Sequence, residues 1–521
     1  MDPRLRRLGE FGLLIEHVET GRAAGLAAAI RGALPEVHEV VPGLDSVMVL
    51  DPRDDLVARV SAVLARDLPA TATTRHELKV VLDGPDLAEV LAVTGLSRAE
   101  LETALEATLT VAAIGFSPGF GYLTGLAGPL ADLGRRPTPR PRVPAGSLAV
   151  AAGMVAIYPH ATPGGWWLLG RSSATLFDLD RPLPGLLAVG DEVRLVIVPD
   201  DPPGPIPAPR RRLVPPDGVR PVLEVTAVPA GTSLVDDGRR GVAHLGVPAA
   251  GAADLERCEV AARLVGGGSG AIEVTGSGLE LCILESTVVA GVDLGLDVDG
   301  RRIPSGVPVA VGAGQVLRTT SVGRGARGYL GVAGGPLVPL VLGSMSTDSL
   351  CGVGPGLAAG DVLGGGPVPV VLPMRGAVPE DPDPVVLRFL PGPHDHLLLE
   401  GLTMVTATVS ATSNRVGLRL VPDKGSLQRL DGEVASIPAV AGAIQLPADG
   451  HPIILGPDRA TLGGYPIIGV VISADHGLLG RLGPGSAVEL RAVDHGEARA
   501  ALQARRDESV GWVTGRASTL G

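Results

Sequence analysis

Lysine is nearly missing from this sequence: in 521 residues only Lys79 and Lys424 occur, and every other basic residue is arginine. Neither lysine follows a glycine as a phosphate-loop lysine must, and neither sits in a Met-Lys-Met sequence, so the chain carries no P-loop and no covalent biotin. Cysteine is scarce as well. Cys258, Cys282 and Cys351 are odd in number and form no CxxC pair, which argues against a disulfide framework and a thiolate zinc site and fits a reducing cytoplasm. His394 and His396 are the closest histidine pair, and without HExxH spacing no metal is expected. Aromatics number five Phe, four Tyr and three Trp, so the cores must be aliphatic and no interface hot spot stands out. No apolar run reaches the roughly 18 residues needed to cross a bilayer, and the charged start Met1-Asp2-Pro3-Arg4 leads into no secretory signal. A net charge of −12 makes nucleic-acid binding a poor expectation. No Gly-x-Ser-x-Gly elbow is present.

What is abundant is glycine, 74 residues, and proline, 47, within a chain that is 45% hydrophobic. That mixture reads as many short strands joined by tight turns, and the length suggests three or four compact units. The segment 199–216, rich in proline and containing Arg210-Arg211-Arg212, reads as a semi-rigid linker between two halves. Before it, residues 13–18 and 37–50 suggest strands and 23–33 and 54–66 helices, giving a small α/β subdomain over 1–76. A strand at 78–82 opens the next unit, 77–198. Short helices follow at 86–94 and 97–105, the second with a Ser97/Glu100 capping box.

Two phrases recur along the chain. Pro163-Gly164-Gly165-Trp166-Trp167-Leu168-Leu169-Gly170 is echoed by Leu462-Gly463-Gly464-Tyr465-Pro466-Ile467-Ile468-Gly469. A strand-closing phrase appears as Val189-Gly190-Asp191-Glu192-Val193, Ala359-Gly360-Asp361-Val362-Leu363 and Pro484-Gly485-Ser486-Ala487-Val488. Three such endings imply three barrels, at 77–198, 217–376 and 377–495, with a helical tail over 496–521. The expected fold is mainly β with some α+β character.

Several constellations could carry chemistry. Gly115-Phe116-Ser117-Pro118-Gly119-Phe120-Gly121-Tyr122-Leu123 is either a pocket lip or a turn anchored in a barrel core. Ser147, Trp166 and Arg171, beside glycine-rich turns, could hold a carboxylate or phosphate, or could mark barrel corners. In the second half, Asp236-Asp237-Gly238-Arg239 precedes Gly246-Val247-Pro248-Ala249-Ala250-Gly251-Ala252-Ala253-Asp254 and a helix to residue 265. Asp254 suits that helix's cap, and Asp236 with Arg239 suits an anion site. Glu273 lies in an apolar strand, as a general base or as an ion-pair partner for Arg239. A last polar group combines Asn414, Arg415, Glu433, Ser436, Gln445, Asp458, Thr461, Gly463, Gly464 and Tyr465.

Taken together, these motifs resemble a known family. Residues 115–123, 143–147, 157–159, 163–166 and 170–171 resemble the B component of 5-oxoprolinase, also called the allophanate hydrolase subunit 1 or Kip-type inhibitor family. The second half, through 236–239, 246–254, 327–330, 343–347, 413–415 and 458–466, resembles its partner, the C component. The resemblance implies cyclophilin-like barrels, one behind an α/β subdomain and two after the linker. It also implies a reaction: with a LamB/YcsF-type A component, such proteins open 5-oxoproline to glutamate at the expense of ATP, with or without Mg. Asp236, Arg239, Glu273 and Asp458 would then be catalytic. Phe116, Phe120, Tyr122, Ser147, Trp166, Arg171, Asp254, Asn414, Arg415, Thr461, Gly463, Gly464 and Tyr465 would bind substrate. Related sequences form the carboxyltransferase part of urea carboxylase, and others bind a sensor histidine kinase. Those are the two alternative functions, and a homo-oligomer is compatible with any of them. Polar positions of the family are apolar here at Ala104, Met154, Val235, Ala250, Met345, Ala460 and Ile467.

Overall fold

Short apolar segments that end at glycine or proline cannot sustain long helices, and they form strands that find partners across the chain. The computed structural model describes residues 4–19, 21–66, 73–201, 210–268, 270–323, 327–367, 384–430 and 434–513, with side chains of the last helix to 507. Glu433, linker residues 202–209, the expected boundary at 376/377 and the end of the tail lie outside the described residues. The protein is mainly β and rich in barrel-like sheets.

The first subdomain is a four-stranded sheet in the order Leu5–Leu8, Gly12–Ile15, Val47–Leu50, Glu39–Pro42. Helices Ala23–Ala33 and Leu56–Leu64 pack on it, burying Leu26, Ile30 and Val60 against Leu13 and Val49. Arg98–Leu105 begins at Ser97 with the expected reciprocal cap, Ser97 and Glu100 each satisfying the other's backbone N–H.

Two of the three larger β units share one topology. In the last unit Val385–Pro391, Ile467–Val471, Ala443–Gln445, Ile453–Leu455, Gly417–Pro422, Met404–Val409 and Ala487–Ala492 close into a barrel, its first and last strands parallel. The unit after the subdomain repeats this order, with Arg75–Val80 parallel to Glu192–Ile197. There a single Val81–Arg171 bridge joins the sheet's two ends. Each unit also carries a two-stranded flap just before its second sheet strand: Arg140–Val143 with Thr162–Gly164, and Ile437–Pro438 with Leu462–Gly463. The repeated glycine-pair phrase is the exit of that flap. The middle unit differs, as a six-stranded and a five-stranded sheet packed on one core. Its closing strand Val362–Gly365 runs antiparallel to Arg220–Ala227.

The closing phrase has a local physical cause. Asp191 accepts from the amides of Ala188 and Thr74 at 2.9 and 3.2 Å, and Asp361 accepts from those of Ala358 and Leu213 at 2.8 and 2.9 Å. In both, one carboxylate pins the turn three residues upstream to the strand arriving from far away. Ser486 holds the amide of Gly483 in the same way at 3.1 Å. The described ends of the linker are pinned too: Asp201 accepts from Ser173, and Arg210 pairs with Asp361.

The units share surfaces. One core joins Leu14 and Met48 of the subdomain, Phe120 and Trp166 of the first barrel, and Ile437, Leu462 and Ile467 of the last. Glu39 accepts from the amides of Gly241 and Ala243 in the middle unit, and burial pushes its carboxyl above the ordinary range. Helix His495–Val513 packs Ala498 against Leu390 and Ile472, and its Arg499 pairs with Asp54. Among the described residues no helix is long and apolar enough to cross a membrane.

Candidate functional site: a cleft between the middle unit and the last barrel

The strand Ala271–Val274 places Glu273 at 0% exposure, where an unpaired carboxylate would be intolerable. Its Oε1 lies 2.6 Å from Arg415 Nη1 and 3.2 Å from Arg327 Nε. Its Oε2 accepts from the Tyr329 hydroxyl at 3.1 Å and the Ala253 amide at 2.9 Å. Arg415 then turns its other edge to Asp458, at 3.0 Å from Nε and 2.9 Å from Nη2, and donates to the carbonyls of Ala250 and Gly251. Burial alone would lower the Arg415 pKa, but Glu273 and Asp458 reverse this and hold the guanidinium charged. One arginine thus joins a strand of the middle unit to a loop of the last barrel.

A second bridge runs beside it. Asp254 caps helix Leu255–Leu264 by accepting from the Arg257 amide and is held by Arg481 Nε at 2.6 Å. Burial raises the Asp254 pKa, and Arg481 offsets part of that rise. Arg481 also reaches Glu256 at 2.7 Å, as does Arg505 from the C-terminal helix at 2.6 Å.

Above these bridges opens a cleft of about 600 Å³. Arg327, Asn414, Arg415, Arg459 and Arg505 contribute to its walls, with Leu418 and Ile454 on an apolar side. Asn414 Oδ1 accepts from the Val416 amide at 2.9 Å, shaping the lip. Asp237, Glu256 and Glu259 share the lining with the guanidiniums and the apolar side chains; the guanidinium donors suit a small anionic or carbonyl ligand, and buried ion pairs hold the walls.

Behind the cleft, Asp236 accepts from the Ser344 and Ser346 hydroxyls and the amides of Met345 and Gly238. Although burial would raise its pKa, those four donors hold it below the usual carboxylate range. The sequence left Arg239 as a partner for Glu273. The structure corrects this: Arg239 donates to the carbonyls of Val341 and Ser346, and Glu273 belongs to Arg415 and Arg327. Asp348, 1% exposed, is pushed up to about 6 by burial and by the charge of Asp458.

That shift gives a testable pH dependence. The folded-state value lies above the unfolded 3.8, so folding favours the protonated carboxyl, and this stabilisation is lost as pH rises through about 6. Asp348→Asn is therefore expected to match the parent chain near pH 4 and to be about 2–3 kcal/mol more stable above pH 7. Urea unfolding at the two pH values checks it. A variant less stable above pH 7 would show that the carboxylate is needed in its charged form.

The first-half candidates lie elsewhere. Phe120, Tyr122 and Trp166 are buried in the core shared with the last barrel, with Phe116 packed against it. Ser147 is buried in strand Ser147–Ala151. Arg171 pairs with Asp83 and Asp200, fixing the barrel's seam to the linker's start. Thr461 is buried, Gly463 and Gly464 belong to the flap exit, and Tyr465 is exposed. Ser436 and Gln445 are buried in the last barrel. The apolar replacements are absorbed by packing: Met154 and Ile467 enter the shared core, and Val235 and Met345 enter cores of the middle unit. Sequence reasoning had Arg327 only as part of the 327–330 motif, without a role, and missed Arg481, Arg505 and Glu256 as parts of the bridges. For Arg481 and Arg505 the only sequence signal is the excess of arginine over lysine.

Comparisons with known proteins align with both halves. Residues 3–187 match the family described as carboxyltransferase domain, subdomain C and D, and residues 245–492 match carboxyltransferase domain, subdomain A and B. The chain is 39% identical over 175 residues to the B subunit of 5-oxoprolinase from Escherichia coli O157:H7, covering 31% of this chain and 79% of that protein. It is 31% identical over 297 residues to the C subunit of 5-oxoprolinase from Escherichia coli K12, covering 53% and 92%. The crystal structure of TTHA0988 superposes with a TM-score of 0.81 at 34% identity, over 93% of this chain and all of that one.

Proposed function

Since the chain belongs to the family of the B and C subunits of 5-oxoprolinase, built of carboxyltransferase domains, we propose that it is the fused B and C component of an ATP-dependent 5-oxoprolinase. It works with a LamB/YcsF-type A component in the cytoplasm. The observation that carries this reading is the convergence of second-half family motifs on one cleft: Arg327, Asn414 and Arg415 in its wall, Glu273, Asp254 and Asp458 behind it.

The chemistry favours such a site. A lactam carbonyl is a poor electrophile, and phosphorylating its oxygen activates the carbon for attack by water; charge growing on that oxygen needs fixed cationic donors. Arginines already locked by buried carboxylates stabilise it without reorganising. ATP enters as a second substrate. With no phosphate loop in this chain, its nucleotide end is assigned to the LamB/YcsF-type component, and the cleft arginines fit the transferred phosphoryl group.

Mixing the purified chain with its organism's LamB/YcsF-type component, ATP and 5-oxoproline is expected to give glutamate and ADP together, and only when both proteins are present. If an active, folded partner yields neither product, the reading fails. Turnover that avidin blocks would instead assign a carboxyltransferase acting on biotin carried by another protein.

A further inference from the structure

We propose that His476 is a general base of the cleft, taking a proton from the attacking water through Nδ1; this rests on the 5-oxoprolinase reading above. His476 begins helix His476–Arg481 and is one of the residues lining the cleft. Nε2 lies 3.0 Å from the carbonyl oxygen of Val471, which can only accept, so Nε2 carries the hydrogen and Nδ1 keeps the lone pair. Nδ1 makes no hydrogen bond among the described residues, so its lone pair is not committed to a protein donor there.

The ring's position is enforced from behind. Gly442, at φ +77°, leaves room for it there: a Cβ would come within 2.6 Å of Nε2. Glu10 of the first subdomain, Asp475 on the histidine's own element and Arg459 of the last barrel are the charged groups around it. Burial outweighs the two carboxylates and lowers the imidazole pKa, so it is neutral at pH 7 and able to accept.

The step balances as follows. The oxygen of water bonds to the carbonyl carbon of the O-phosphorylated lactam while one water proton passes to Nδ1. The C=N π pair moves to the ring nitrogen, which then takes that proton back from the imidazolium. Water has been added across the bond and the imidazole is neutral again; the C–N bond of the tetrahedral adduct then breaks as the hydroxyl proton moves to the ring nitrogen, leaving a free amine and an acyl phosphate.

His476→Gln separates this role from a packing role, because the glutamine amide keeps the donor to Val471 and has nothing basic at the Nδ1 position. In the reconstituted enzyme the variant is expected to lose about 10²–10⁴-fold in kcat. The acid limb of the pH profile, placed below 6.5 in the parent enzyme, should vanish with it. Nitrogen-15 NMR of the parent chain should show the Nε2–H tautomer. A variant that keeps both rate and pH profile overturns the proposal, as does an Nδ1–H tautomer. Should the glutamine variant unfold, the tautomer and the position of the parent's acid limb decide alone. A parent chain without turnover would fault the 5-oxoprolinase reading, and the NMR result would still bear on His476.

Discussion

Arg415→Ala should destabilise the folded chain by about 3–5 kcal/mol and abolish turnover, the largest effect expected of any single substitution at the cleft. The guanidinium is 7% exposed and spans two carboxylates and two carbonyl oxygens from sequence-distant segments. Without it, among the described residues, Glu273 would keep Arg327 as its cation and Asp458 would keep Ser349. A buried charge left short of partners costs more than the intact pair contributes. Arg415→Lys should recover part of the loss, because one ammonium cannot face both carboxylates at once. Urea unfolding at pH 8 measures both variants, and a deficit below about 1 kcal/mol would mean that the network is ornamental.

The second large effect belongs to the first-half aromatic motif, through folding. Phe120 touches four rings edge-on, with centroids at 5.2 Å to Phe116, 5.1 Å to Tyr122, 5.1 Å to Tyr158 and 5.8 Å to Trp166. Truncation to alanine should cost about 3–5 kcal/mol, since the cavity adds to the lost ring contacts. That core also holds Ile437 and Leu462 of the last barrel, so the loss should loosen the two halves from each other. Gly115→Val isolates the interface: even a Cβ would come within 2.2 Å of Leu462 Cγ. Calorimetry should show the parent's unfolding split into two transitions in both variants. A single unsplit transition for Gly115→Val would show that the halves are not coupled through this contact.

These two sites also mark what could be read from sequence. The closing phrases were legible because Asp191 and Asp361 act on amides three residues away, just before each phrase begins. Asp254 was legible as a cap for the same reason. Partner choice was not: Glu273 and Arg415 are 142 residues apart and Asp254 and Arg481 are 227 apart, so Arg239, nearer in sequence, looked equally suitable. The density of rings and turn formers around Phe116 fits a pocket lip and a core turn alike. Ile437 and Leu462, packing from the other half, select the core. Three similar phrases imply three β units but not their unequal closure, because strand direction is set by distant pairing: Val362–Gly365 meets its first strand antiparallel. His476 carried no signal in sequence, since a lone histidine beside an aspartate is ordinary.

The most direct test of the account is a crystal structure of the complete chain with 5-oxoproline at saturating concentration. The substrate is expected in the cleft, its carboxylate or carbonyl oxygen within hydrogen-bond reach of Arg327, Asn414 or Arg415. Density instead at the glycine-rich turns beside Phe116 and Trp166, with the cleft empty, would contradict it and move the active site to the first barrel.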